Sequence, residues 1–404
     1  MLSLSMIVRD EESSIAACLE SVIDFVDEIV VLDTGSVDNT ASIAEKFGAK
    51  VFHLPWPGDF APARNEALKL AAGDWVLVLD ADEKLRYEAI KEMQNIISSN
   101  EVLLVNLLRY EVGSLISPYS TVSRLFRKHP RIEWRRSYHS MVDDSIKEIL
   151  VEEPWWKIVN CSEPALIHVG YHPDALHKGL KAKSLRDAME QTILENPKDP
   201  YTSAKLGALE ISEGYLEKGL EILKQGLSNI ENSLDNIHEH YELLLHLGIG
   251  LSSIDISAAK KAYREALELP LQPRINMAAA LNLAVLLMKT GELNQAINLT
   301  RKATELVPEV PLGWFNLALM ERYNGNLDDA VHCYQKAIDL NPDYIDSHKN
   351  LAIVRLLMGD INNARKSFKK TFSILRSQNN FAEIEILRKQ LKGMIDLEDI
   401  YDKP

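Results

Sequence analysis

The spacing of apolar positions changes character part-way along the chain. Up to about Tyr171, short apolar runs alternate with stretches whose apolar residues recur every three or four positions. "LSLSMIV" precedes "ESSIAACLESVIDFV"; "EIVVLD", "TASIAEKFG", "AKVFHL", "FAPARNEALKLAAG" and "WVLVLD" follow in turn. The alternation of strand and helix periods predicts an α/β domain with a mostly parallel sheet flanked by helices. In such sheets ligands bind beyond the carboxyl ends of the strands. Arg9-Asp10-Glu11, Asp33-Thr34-Gly35-Ser36 and Asp80-Ala81-Asp82 all fall at such ends.

Beyond about residue 190 the strand pattern stops and a repeat takes over. Gly291, Gly325 and Gly359 are spaced by 34 residues, as are Ala296, Ala330 and Ala364, and Leu283, Leu317 and Leu351; Pro308 and Pro342 keep the same step. A period of 34 with these residue types is the tetratricopeptide pattern, two helices per repeat, each unit burying its apolar face only against neighbours. The clearest copy is "WFNLALMERYNGNLDDAVHCYQKAIDLNP", with weaker copies at 204–227 and 243–270. The pattern therefore predicts an α/β domain over 1–190, an all-α solenoid of about five repeats over 191–378, and a capping helix over 379–404.

Composition narrows the partners. The formal net charge of −14 argues against a nucleic-acid partner. No run reaches the ~18 apolar residues of a membrane span, and "MLSLSMIV" reads as a buried strand and not as a signal peptide. Cys18, Cys161 and Cys333 are too few and too far apart for a disulfide framework or a zinc site, so a cytoplasmic home is expected.

The chemistry concentrates where apolar runs end. In "GDWVLVLDADEKL" an apolar strand is closed by Asp80, Asp82 and Glu83. Side chains two apart on an extended chain point the same way, so Asp80 and Asp82 can grip a hard divalent cation, Mn²⁺ or Mg²⁺, that also bridges a diphosphate. Asp33 ends another β-branched run, placed to accept from a nucleobase N–H, and Asp38-Asn39-Thr40 can cap the next helix. Arg64 and Asn65 begin a further helix and supply cationic and amide donors.

Taken together and in order, "MIVRDEE", "VVLDTGSVDNT", "FAPARNEAL" and "WVLVLDADE" resemble the N-terminal signature of family 2 glycosyltransferases with the GT-A fold. The resemblance is dense over residues 1–85 and thinner to about Asp187. It implies a nucleotide-sugar donor, with a uridine base as the leading expectation. Ile7, Val8 and Arg9 would line the nucleotide pocket, Asp33 would contact the base, Asp80 would face the ribose or the metal, and Asp82 would ligate the metal. It also implies an inverting transfer, in which an acceptor hydroxyl attacks the anomeric carbon.

The chain is further similar to the subgroup that joins such a domain to tetratricopeptide repeats, which includes sublancin-type peptide S-glycosyltransferases. The subgroup's Arg-x-x-x-His-Glu is matched at His139 but not at the following Glu, where Ser140 stands, so Asp143 or Asp144 is the candidate replacement carboxylate. Its His-x-Gly-Tyr is matched by His168-Val169-Gly170-Tyr171. The match implies His139 as base or acceptor-orienting group, His168 as a third metal ligand or diphosphate contact, and Tyr171 closing the donor pocket. Arg135, Arg136, Lys178 and Lys183 are available for the diphosphate, and Trp155-Trp156 is either core or a sugar platform. The repeats would dock a protein, peptide or glycan acceptor, or join copies into a homo-oligomer. A nucleotidyltransferase is disfavoured because "RDEESS" after the first strand has no glycine. A tetratricopeptide adaptor with a decayed transferase half is the remaining alternative.

Overall fold

A computed structural model describes residues 1–114, 117–136, 140–169, 178–230 and 236–393. The chain forms two compact units, Met1–Glu239 and His240–Pro404. The first begins with β1 (Leu2–Val8), α1 (Ile15–Val22), β2 (Glu28–Asp33), α2 (Thr40–Lys46), β3 (Lys50–His53), α3 (Phe60–Leu70) and β4 (Trp75–Val78). It continues with β5 (Glu83–Leu85), α4 (Tyr87–Ile97), β6 (Val102–Glu111), β7 (Tyr119–Arg127), α5 (Asp143–Glu152) and β8 (Lys157–His168). The sheet order is β3-β2-β1-β4-β7-β6-β8-β5.

The expected parallel sheet is present in β1 to β4, and the remainder is mixed. β2 and β4 flank β1 in parallel and β3 pairs in parallel with β2. β7 is antiparallel to both β4 and β6, β8 is parallel to β6, and the short β5 lies antiparallel on β8. β6 and β7 follow each other without an intervening helix, and a hairpin of neighbours closes only antiparallel.

Alternation along β1 explains the layering. Leu2, Leu4, Met6 and Val8 enter a core with Ile15, Cys18, Leu19 and Val22 of α1, Ala44 of α2, and Ala89 and Met93 of α4. Val76, Val78 and Phe126 face the other way, against Ala61 and Leu68 of α3 and Ile146 and Ile149 of α5. Ser3 and Ser5, between the apolar positions of β1, are buried too. Ser3 Oγ donates to Glu28 Oε2 at 2.5 Å and accepts from the Gly73 N–H at 2.8 Å. Glu28 also takes Lys50 Nζ at 2.7 Å and the Ala72 N–H at 2.8 Å. A Cβ on Gly73 would meet backbone atoms of Met1 and Ser3 at 2.8 Å, so only glycine fits there.

From α6 (Lys178–Glu195) onward every described element is a helix. The helix pair α7 (Pro200–Ser212) and α8 (Leu216–Asn229) belongs to the first unit. The second holds most of α9 (Ile237–Leu251), then α10 (Ile256–Glu268), α11 (Pro273–Lys289), α12 (Leu293–Leu306), α13 (Pro311–Tyr323), α14 (Leu327–Leu340), α15 (Ile345–Leu357), α16 (Ile361–Ser377) and α17 (Phe381–Leu391). The repeating glycines Gly291, Gly325 and Gly359 close the first helix of their pairs at φ 83°, 84° and 78°, a left-handed conformation that costs a side-chain-bearing residue. The repeating alanines Ala296, Ala330 and Ala364 are fully buried, where small side chains let paired helices approach. Ile384, Leu387 and Leu391 of α17 pack on Phe368, Phe372 and Leu375. Among the described residues no helix is long and apolar enough to cross a membrane.

Candidate active site

Parallel pairing brings the ends of β1, β2 and β4 to one edge, with Val8 beside Asp33 and Ser5 beside Val78. The loops beyond β1 and β2 are laced together. The Asp10 N–H donates to Ser36 Oγ at 3.0 Å, that of Glu11 to Thr40 Oγ1 at 2.7 Å, and that of Val37 to Asp10 Oδ1 at 2.8 Å. Asp10 takes a left-handed φ of 54° to do so. Asp33 Oδ1 accepts from the N–H groups of Gly35 and Ser36, both at 2.7 Å. No protein donor reaches its Oδ2 among the described residues, which leaves that oxygen for a ligand. Ile7 is half-buried and Arg9 exposed at this edge. Val8 sends its side chain into the core and its carbonyl to Thr34, so its share in a pocket is steric.

Asp80 is held by two arginines. Arg64 Nη2 donates to Oδ1 at 2.7 Å and Arg124 Nη2 to Oδ2 at 2.5 Å. Burial opposes ionisation, but Arg124 and Arg64 outweigh it and hold the carboxyl far below the usual range. Arg64 rises from α3, whose N-cap Asp59 accepts from the Ala61 N–H at 2.9 Å. The guanidinium lies 4.8 Å from the ring centre of Trp134. Asn65 spends both ends of its amide on the backbone of Trp134, at 2.9 and 2.8 Å, so it anchors that segment.

Asp82 and His168 meet across the sheet, with His168 Nε2 at 3.2 Å from Asp82 Oδ2. His168 Nδ1 lies 2.6 Å from Glu111 Oε2. Hydrogen bonds to Asp82 and then Glu111 raise the His168 pKa to about 9. Burial pushes Glu111 up, but the hydrogen bond to His168 and the charge of Arg109 bring it down to about 2. No set of three or more His, Cys, Asp or Glu side chains is grouped to hold a metal by protein ligands alone among the described residues. An Asp–His pair still fits a cation whose other positions are taken by a diphosphate and water. His168 has the second bond from its far ring nitrogen to a carboxylate that is typical of metal-binding histidines.

The other candidates are spread differently. His139 and Tyr171 lie outside the described residues. Asp144 gives its two oxygens to Arg136, at 2.8 and 2.9 Å. Asp143 accepts from Ser123 Oγ at 2.7 Å, and burial raises its pKa. Both are half-buried and already partnered. Arg135 is taken up by Glu133 and Glu148, Lys183 is exposed, and the Lys178 side chain lies outside the description. Trp155 is exposed, while Trp156 packs against the core under β7 and α5.

Pattern reading missed Arg109, Glu111 and Arg124. Arg109 and Glu111 stand two apart on β6, in line with the apolar Leu103, Val105 and Leu107, and that alternation was a usable signal. Arg124 had none. The β6–β7 register steps between Val105 and Asn106, so Arg124 is left without a partner on β6, and such a bulge re-aims a side chain.

Comparison with known proteins finds relatives of both parts of the chain. The glycosyl transferase family 2 model matches residues 3–152, and two tetratricopeptide repeat models match 311–344 and 333–366. A TPR repeat-containing protein of Synechococcus elongatus is 41% identical over 308 residues, 76% of each chain. An uncharacterized glycosyltransferase of Rickettsia conorii is 34% identical over 138 residues, 31% of this chain and 48% of that one. The SPbeta prophage-derived glycosyltransferase SunS of Bacillus subtilis is 24% identical over 254 residues, 59% of this chain and 56% of that one.

Proposed function

From the premise that the chain belongs to the family 2 glycosyltransferases and carries tetratricopeptide repeats, we propose a cation-dependent, inverting transfer from a nucleoside-diphosphate sugar, with UDP-sugars the first donors to test. The observation that carries the cation dependence is the pair Asp82–His168 at 3.2 Å with the far imidazole nitrogen on Glu111. Asp82 and His168 would hold the ion, and a mixed oxygen and imidazole donor set favours Mn²⁺ over Mg²⁺. When bound, the ion supplies neutralisation of charge developing on the departing diphosphate.

The chain's own residues set up the rest. Asp33 presents Oδ2 to a base N–H while Gly35 and Ser36 fix its carboxylate. Asp80 carries two guanidinium partners, which oppose a further cation, so its role in this reading is to accept a ribose hydroxyl. Since Asp144 is committed to Arg136 and Asp143 already accepts from Ser123, His139 is the assigned base for the acceptor hydroxyl. The repeats are assigned to hold a protein, peptide or glycan acceptor, or a second copy. A reducing cytoplasm suits the buried thiols Cys18, Cys161 and Cys333, which form no disulfide.

Thermal unfolding with a panel of nucleotide-sugars and free diphosphates, each with Mn²⁺, Mg²⁺ or chelator, tests this. A donor at ~100 times its Kd adds about 2.7 kcal/mol, a shift of about 5–10 °C for a unit of this size. Stabilisation that needs the ion supports the reading. The absence of any such shift, with Asp82→Ala unfolding like the parent, would return the chain to the adaptor alternative.

A further inference from the structure

A closed ring of alternating charge surrounds the turn that presents Asp82. From His168 the ring passes to Glu111 at 2.6 Å, then to Arg109 Nε at 2.8 Å. Arg109 Nη1 reaches Glu83 Oε1 at 2.7 Å, and Glu83 Oε2 accepts from the Asp80 N–H at 2.9 Å. The backbone from Asp80 to Asp82 and the contact of Asp82 with His168 close it. The sheet sets the members level. His168 lies opposite Glu111 on one side and opposite Glu83 on the other. Side-chain exposure falls from 42% at Asp82 to 21% at His168 and 7% at Glu111, so the ring opens to solvent at Asp82.

We propose that Glu111 is the positioning residue of this cation site and that Arg109 ties it to the Asp80–Glu83 turn. Glu111 only accepts, so His168 Nδ1 carries the proton of that bond; Asp82 likewise only accepts, so Nε2 donates to it and gives up its proton when it holds the ion. Arg109 bonds Glu111 and Glu83 with separate nitrogens of one planar group, so the imidazole and the turn keep a fixed spacing. A ring built only for stability would not need its one open end to be an Asp–His pair. The inference rests on Asp82 and His168 being the holders of the ion.

The experiment is a Mn²⁺ titration of the full chain in the presence of uridine diphosphate, free Mn²⁺ being read by its EPR signal. Glu111→Gln keeps shape and loses charge, and is expected to weaken Mn²⁺ about 10–100-fold. Ser120→Ala removes another hydrogen bond to the same Glu111, made by Ser120 Oγ at 2.5 Å, and a longer one from Arg109 Nε at 3.2 Å, and keeps the Glu111–His168 bond. It is expected to weaken Mn²⁺ far less than Glu111→Gln does, since the Glu111–His168 bond is kept. If the parent binds no Mn²⁺, the cation reading itself fails. If the parent binds and Glu111→Gln binds equally, or if both variants weaken alike, the positioning role is overturned and the cation reading stands. Should Glu111→Gln lack a cooperative unfolding transition, Arg109→Lys replaces it. That change keeps the charge but loses the fork, and a Mn²⁺ affinity equal to the parent's would again overturn the inference.

Discussion

Arg136 is the test case for how the first helix pair belongs to the transferase unit. Its guanidinium donates twice to Asp144 at the start of α5, at 2.8 and 2.9 Å, and twice to Asp199, the N-cap of α7, at 2.8 and 3.2 Å. It also lies 5.2 Å from the ring centre of Tyr201. The side chains of Arg136 and Asp199 are 15% and 6% exposed. Arg136→Met keeps the apolar stem and strips all of these bonds. Breaking a buried pair by removing one partner costs about 3–5 kcal/mol. Asp144 can turn to water, and Asp199 keeps the Thr202 N–H at 3.0 Å, so the low end applies, about 3 kcal/mol. That is a fall of about 6–12 °C in the melting of a unit of this size. Trp56, Trp75, Trp134, Trp155 and Trp156 all lie in the first unit and only Trp314 in the second, so tryptophan fluorescence in urea reads the right transition. A double-mutant cycle with Asp199→Asn, which keeps a capping oxygen, should show coupling of about 1–3 kcal/mol. Additivity within about 0.5 kcal/mol would refute the latch.

Four further outcomes are expected. Asp82→Ala should abolish donor turnover, read as released nucleoside diphosphate, with melting temperature unchanged; full activity would remove its role with the ion. His139→Ala should lower kcat by about 100-fold or more while leaving donor affinity within a few-fold, measured by steady-state kinetics and donor-induced melting shifts. Gly73→Ala should cost about 1–3 kcal/mol in urea unfolding, because its Cβ would press on Met1 and Ser3 backbone at 2.8 Å. For Glu28, burial alone would raise the pKa, but hydrogen bonds from Lys50, Ser3 and the Ala72 N–H lower it from 4.5 to about 2. Its stabilisation is therefore whole above about pH 4.5 and lost between there and pH 2; discounted for the exposed Lys50, it is about 1–2 kcal/mol, and Glu28→Gln should flatten that part of the stability–pH curve.

The parallel half of the sheet and the repeats were legible because each rests on a local period. β1, β2 and β4 are apolar on both faces or alternate cleanly, and the 34-residue step recurs in several columns at once. The antiparallel half was less so. β5 has only three residues, and β8 carries Pro164 and register shifts against β6, which blur any period. The patterns also change character near residue 190, whereas the first compact unit extends to Glu239. The contact that binds α7 into it joins Arg136 to Asp199, and charges 63 positions apart leave no trace in composition or spacing.

The same limit explains the three carboxylates that close β4. By sequence Asp80, Asp82 and Glu83 are one acidic turn; spacing pairs Asp80 with Asp82 but does not divide their roles. Their counter-charges do. Asp80 faces Arg64 and Arg124, Glu83 is buried under Arg109, and Asp82 alone stays half-exposed with an imidazole in front of it. A carboxylate already matched by two guanidiniums has little field left for a divalent ion, so in the reading proposed above the ion falls to Asp82 and His168. The division of labour in the turn is thus written in α3, β6, β7 and β8, where a charged side chain on an apolar strand is tolerable only with a partner. Arg109 and Glu111 on β6 are therefore the sequence's own sign that a charged site lies on that face. Naming the partners required the register of the sheet.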